Sequence, residues 1–298
     1  MNRMTRLERP ASYEHVAVLA TGVLAWMLAG TASAGPVLPD FSPSNFTPGA
    51  PINNPYFPLT PGTTYRAEAD VVSDSDSGER VHAVDIDMVT FRTQTIAGVK
   101  AVVVHATSRE DGVLTEDTND YYAQDKAGNV WYMGEDTKAF EYDDSGKLIS
   151  TDTSGSWRAG VRGGKPGFIM PAHPTVGFSH YQEFAPNDEA VDQAEIVSLN
   201  ESVTVPAGSF SNVVKTLETT AVEPGVRENK FYAPGVGLVL THEDLDATTG
   251  VPLNVIPLVS VTRAQPVPLP PAVWSGLGTG ALLWLGWGVR RITRRASA

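Results

Sequence analysis

Beyond Thr63 apolar and polar residues alternate along the chain, and no long run with an apolar spacing of 3.6 occurs before residue 265. Alternation puts successive side chains on opposite faces of a strand, whereas an amphipathic helix needs the longer period. Val, Thr, Tyr, Ile and Phe are plentiful, and turn residues recur about every 10 to 18 positions, as in all-β chains. Asp111-Gly112 predicts a two-residue hairpin, because both positions tolerate positive φ. Asp125-Lys126-Ala127-Gly128 and Asp143-Asp144-Ser145-Gly146 share a D-x-x-G pattern. In each, Asp opens a type I turn and Gly closes it in the left-handed conformation. If Asp125 and Asn129 pair, Tyr122 faces Tyr132 and Asn119 faces Glu135. The pattern predicts a mainly β fold, an antiparallel meander of about ten to twelve strands. Strands as long as Val81–Ile96 favour a strongly curved sheet or open half-barrel. Two small β domains joined through residues 154–177 are the alternative.

The two ends break the pattern. Arg3, Arg6 and Arg9 precede the apolar run Val16–Leu28, and Ala32-Ser33-Ala34 supplies a small-x-small cleavage site. Residues 1–34 therefore read as a signal peptide, cut by signal peptidase between Ala34 and Gly35. Residues 35–62 hold eight prolines in 28 positions, the composition of an extended, loosely packed lead-in. Phe41, Phe46, Tyr56 and Phe57 would let parts of it lie against a β-rich extracytoplasmic domain spanning 63–265.

Residues 266–298 have three parts. A proline segment containing Val267, Pro268, Leu269 and Pro270 precedes Ala272–Val289, which carries no charge, and Arg290, Arg291, Arg294 and Arg295 follow. Eighteen residues form a helix of about 27 Å, enough for a thin bilayer, and the arginines would stay cytoplasmic. This end resembles the VPLPA variant of the PEP-CTERM sorting signal of Gram-negative bacteria, with Pro271 where that variant usually has Ala. The resemblance implies an exosortase-type processing enzyme, transient residence in the inner membrane, and delivery to the envelope, cell surface or extracellular matrix. A plain membrane anchor is the alternative.

Charge narrows the partners. The ends hold seven of the 22 basic and two of the 34 acidic residues, so 35–265 carries 15 against 32, a net −17. Such a body is a poor partner for nucleic acid or anionic lipid. The absence of cysteine excludes disulfides, thiolate metal sites and cysteine nucleophiles.

Catalytic signatures are missing. No two of His82, His105, His173, His180 and His242 stand in a zinc-binding spacing, and no G-x-S-x-G elbow or phosphate loop occurs. Asp74–Gly78 begins like a calcium loop but lacks its later ligands. Glu116, Asp117, Asp120, Glu135 and Asp136 crowd one predicted hairpin. Alternation puts Glu116 and Asp120 on one face and Asp117 on the other, so they read as a solvated acidic face rather than a metal site. Ser154–Pro174, with five glycines and three prolines, is the anomalous segment. Loops of that length are often functional. Trp157, Arg158, Arg162, Phe168, Met170 and His173 are its candidate ligand residues, and packing over the end of the sheet is its plainer role.

Asn54–Leu59 with Pro61-Gly62-Thr63, Glu116–Thr137 and Phe231–Val239 (FYAPGVGLV) resemble a family of uncharacterised secreted bacterial proteins over most of residues 54–245. That resemblance implies one coherent domain and brings no activity. FYAPGVGLV is also similar to a segment of curved-sheet periplasmic proteins related to lipoprotein carriers, whose concave faces can hold apolar ligands. The expectation is an exported, non-enzymatic surface or matrix protein without metal or cofactor. A half-barrel binding an apolar molecule or a glycan such as exopolysaccharide is the alternative, and a carboxylate-dependent hydrolase the third reading.

Overall fold

The computed structural model describes residues 35–74, 78–143 and 145–264. The signal segment through Ala34, the motif Val267–Pro270, the charge-free span and the arginine cluster Arg290–Arg295 lie outside the described residues, as does most of the calcium-like turn. Among the described residues no helix is long and apolar enough to cross a membrane.

Sixteen strands form one sheet. Along the chain they are β1 Thr63–Asp74, β2 Glu79–Ile96, β3 Val99–Glu110, β4 Val113–Gln124, β5 Val130–Asp136, β6 Ala139–Tyr142, β7 Leu148–Asp152 and β8 Trp157–Arg158. There follow β9 Lys165–Met170, β10 Ser179–Tyr181, β11 Glu183–Phe184, β12 Asp192–Val205, β13 Gly208–Thr220, β14 Arg227–Ala233, β15 Gly237–Leu245 and β16 Pro252–Arg263. From β12 to β16 each strand pairs with the next, β16 pairs with β1, and the meander continues through β5 to β9. All these pairs are antiparallel. Consecutive β10 and β11 bond to opposite ends of this path, β10 to β12 and β11 to β9. Gln182 between them donates to Asp192 O at 2.8 Å, and its own carbonyl accepts from Gly167 N–H at 3.0 Å. The expected half-barrel is thus a nearly closed ring, because one short segment carries hydrogen bonds on both edges. A single sheet also replaces the two-domain alternative.

The turn chemistry is as the residues dictate. Asp111 and Gly112 adopt φ of 49° and 84°, and Ala97-Gly98 does the same with 47° and 81°. In both D-x-x-G turns the Gly N–H donates to the Asp carbonyl, at 3.1 Å for Gly128 and 2.8 Å for Gly146. Asp125 also accepts from Trp131 Nε1 at 2.8 Å and from Asn129 N–H at 2.9 Å, so one carboxylate fixes the turn and a core indole. Tyr122 faces Tyr132 as expected, but Asn119 faces Asp136, and Asp120 faces Glu135. The register slips at Gly134, whose φ of 134° opens a bulge. A Cβ there would sit 2.4 Å from Trp157 O on β8.

Two further expectations change. The segment 154–174 contains β8 and β9, so eight residues of the supposed loop are wall. The lead-in is firmly packed. Asn53 and Asn54 N–H both donate to Gln124 Oε1 at 2.8 Å, and the Asn54 side chain donates to Gly128 O and Pro171 O. Ile52 and Leu59 cluster with Val89, Val104, Val130, Ile196, Val214 and Tyr232, which come from strands on opposite sides of the ring. Residues 52–59 therefore plug its interior. Phe41 and Phe46 pack with Trp131 against the other face of β3–β5, where Val103, Tyr121 and Met133 are buried.

Closure tolerates no side chain at one point: a Cβ on Gly167 would lie 2.0 Å from Tyr181 O. Gly167→Ala must push β9 away from the closing segment, and is expected to cost ~3 kcal/mol or more. Urea unfolding reads this directly, and an unchanged midpoint would contradict the seam.

Candidate functional site

Inside the ring lies a cavity of about 220 Å³. Its wall is drawn from β1, β2, β3, β4, β9, β14, β15 and β16 together with the plug, so it spans the interior from side to side. Most of the lining is apolar, with Phe57, Leu59, Val104, Ile169, Leu238 and Ile256. Among these stand Asp85 and Asp87 from β2, Asp120 from β4, directly opposite Val104, and Lys230 from β14. Period two explains the grouping, since Asp85 and Asp87, Asp120 and Tyr122, and Lys230 and Tyr232 are each two residues apart on one strand. A second hollow of about 300 Å³ lies on the far side of Lys230, among Gln182, Asp192, Glu218 and Glu228.

The charges are unequally served. Lys230 Nζ lies 2.8 Å from Glu218 Oε2 and 3.5 Å from Glu228 Oε2. Glu218 Oε1 accepts from Thr216 at 2.9 Å and from Tyr232 OH at 3.1 Å. Burial pushes the Glu218 carboxyl up, but Lys230 and these hydrogen bonds together hold it below its ordinary value. Burial likewise works against the Lys230 ammonium, and Glu218 and Glu228 more than restore it. The aspartates have no such partner. Burial, reinforced by Asp85, raises Asp87 to about 6. Burial raises Asp120 to about 7, although it accepts a 2.6 Å hydrogen bond from Tyr132 OH. Burial and the neighbouring Asp120 raise Glu135 to about 8. Glu183, in the closing segment, is also pushed well up by burial and by Asp192. The solvated acidic face expected around Asp120 and Glu135 is therefore an interior one. Asp117, on the opposite face as alternation required, pairs instead with His105 at 3.0 Å.

Aromatic rings line the same space. Tyr122 stacks on Tyr132 with centroids 5.0 Å apart and touches Phe57 at 5.2 Å. Among the described residues no group of three or more His, Asp or Glu is placed to hold a metal ion. The arrangement suits non-covalent binding of a molecule with an apolar body and a polar head.

The candidates from 154–174 go elsewhere, and none lines either cavity. Trp157 is 2% exposed and packs edge-on to Tyr132 at 5.7 Å. Phe168 packs edge-on to Trp131 at 4.6 Å, and Met170 is fully buried in the plug cluster. Arg158 pairs with Asp136 and lies over the Tyr121 ring, while Arg162 pairs with Asp188 at 3.1 Å. His173 is exposed, and its backbone carbonyl accepts from the Thr175 hydroxyl. Trp157, Phe168 and Met170 pack within the wall, and Arg158 and Arg162 form ion pairs. Asp85, Asp87 and Lys230 escaped the sequence reading, which placed Asp120 on a solvated face. The one local signal was the spacing Asp85-Ile86-Asp87, two carboxylates on the face of β2 that also carries Val89, which is fully buried.

No protein-family model matches the chain, and no curated protein matches it. Two solved structures resemble it. One is described as an exported protein with a YmcC-like fold from Bacteroides fragilis, with 14% identity and a TM-score of 0.37, covering 70% of this chain and 99% of its own. The other is described as a lipoprotein from Parabacteroides distasonis, with 15% identity and a TM-score of 0.35, covering 70% and 98%.

The raised carboxyls set a pH dependence. A carboxyl whose folded pKa exceeds its unfolded one stabilises the fold below the unfolded value, and that stability is lost as pH rises through the folded value. For Asp87, Asp120 and Glu135 the window runs from about pH 4 to 8. Glu218 has the opposite sign, its contribution disappearing in acid. The melting temperature is expected to be higher at pH 5 than at pH 8 by ~5 °C, the effect of about 2 kcal/mol in a domain of this size. A flat profile across that range would contradict the burial of these groups.

Proposed function

We propose that the protein is an exported, non-enzymatic binding barrel that holds a small amphipathic molecule within the ring. One observation carries this reading: the interior cavity sets a few ionisable groups in a mostly aromatic and aliphatic lining, the composition of sites that orient small ligands. A barrel filled only by its own side chains would have no use for unpaired aspartates at that depth. The test is calorimetric titration of the full-length chain with six-carbon amphiphiles bearing an alcohol, an ammonium or a carboxylate. At least one is expected to bind saturably, and Ala67→Trp, which fills the cavity from β1, should abolish that binding. Binding unaffected by Ala67→Trp would place the ligand elsewhere.

Sorting through the C-terminal segment belongs to the same proposal. What supports it is the order of proline motif, charge-free stretch and arginine cluster. Mass spectrometry of the mature protein is expected to find Gly35 or a near neighbour first and nothing beyond about Ala272. Recovery of Arg290–Arg295 in most molecules would indicate a permanent anchor instead.

A further inference from the structure

The proposed binding site leaves the charge of its ligand open, and the lining narrows it. Three aspartates face the cavity against one lysine, and that lysine is already held by Glu218 and Glu228. Asp120 has one hydrogen bond, from Tyr132 OH. The Asp87 carboxyl has no hydrogen bond or ion pair with any described residue, although it faces the interior of the ring. It is half-buried and lines the cavity. A deeply placed carboxylate with no donor is costly, and folded chains usually supply one. Here the donor has to come from whatever enters the cavity.

Beside these aspartates stand the rings of Tyr65, opposite Asp87 on β1, and of Tyr122 and Tyr232, and Phe57 lines the same cavity. Aromatic faces attract cations, and more strongly where water is excluded. An anionic head would meet three carboxyls and find Lys230 already occupied.

We propose that the cavity selects a small organic cation, an amine with an apolar body, whose ammonium is bound by Asp87 and Asp120 and whose body lies against apolar lining such as Phe57 and Leu238. This rests on the interior-binding reading above and adds the charge of the ligand. The cation replaces the missing donor and relieves the repulsion between the aspartates. Binding weakens in acid, because protonated carboxyls attract an ammonium less. The groups that bear on Asp87 are Asp85 from its own strand, Glu116, Asp120 and Tyr122 from β4, Lys230 from β14, and Tyr65 from β1. The acids among them reinforce the effect, and Lys230 opposes it.

The test compares n-hexylamine, n-hexanol and n-hexanoate on the full-length chain by calorimetry at pH 8. The ammonium is expected to bind at least about tenfold more tightly than the alcohol, the worth of one desolvated charge contact, and the carboxylate weakest. In Asp87→Asn the preference for ammonium over alcohol should fall to about threefold or less. Alcohol binding should persist, and Asp120→Asn should act in the same sense. Neither variant should unfold the ring, since each removes a buried charge that burial disfavours. At pH 5 the wild-type preference should shrink likewise. Alcohol or carboxylate binding as tightly as the ammonium would overturn the cation assignment and leave the cavity reading standing. A preference unchanged in both variants would overturn the role of these aspartates. No saturable binding by any of the three would overturn both readings together.

Discussion

At the seam between β9 and residues 179–184, backbone meets backbone at Gly167 with no space for a side chain. The interior depends on this contact. With the seam formed, the sheet has an inside, and the inward residues of β2, β4 and β14 face one another across it. Without it, Asp87, Asp120 and Lys230 would lie on an open, solvated face with ordinary carboxylate behaviour. The seam needs further support from Gln182, whose backbone bonds to β9 on one side and β12 on the other. Beside it His180 is fully buried against Phe178, its ring centroid 5.0 Å away. Burial pushes that imidazole down to about 4, so it adds no positive charge to the closing segment at neutral pH.

The interior then divides by how well each charge is served. Glu218 and Lys230 form a complete unit with Thr216 and Tyr232, and removing either partner would strand the other in a dry setting. The aspartates of β2 and β4 are the reverse case: none has a cationic partner in an ion pair, Asp120 has only the hydrogen bond from Tyr132, and the Asp87 carboxyl has none. They burden the stability of the fold, which is what a binding site does when it is arranged for a partner instead of for itself. The plug makes the same compromise in shape. Ile52 and Leu59 fill much of the ring, and Phe57 and Leu59 leave the remaining space lined rather than filled.

Much of the frame was legible in the sequence. Asp111-Gly112, the two D-x-x-G turns and the long alternating runs specify local geometry, and each forms as its residues require. What was not legible depends on contacts far apart in the chain. The bulge at Gly134 answers to the approach of Trp157, and no local pattern marks it. On β2 the apolar set Val84, Ile86 and Met88 invites placement toward the core, yet Asp85 and Asp87 line the interior and Met88 is 40% exposed. Alternation finds two faces without saying which is inward, and here one strand reverses the usual choice. Trp157, Phe168 and Met170 were recognisable as apolar residues in an odd segment, but their burial follows from β8 and β9 adding to the wall. Lys230 gave no warning, because a lysine in a strand is ordinarily solvated.

The most direct test of this account is a carboxyl-carbon NMR titration of the folded protein, with the resonances of Asp87 and Asp120 assigned by substitution. Midpoints near 6 for Asp87 and near 7 for Asp120 are expected, as unpaired carboxyls enclosed by the ring. Midpoints for both close to 4, the range of a solvated aspartate, would contradict the enclosed acidic interior on which the account rests.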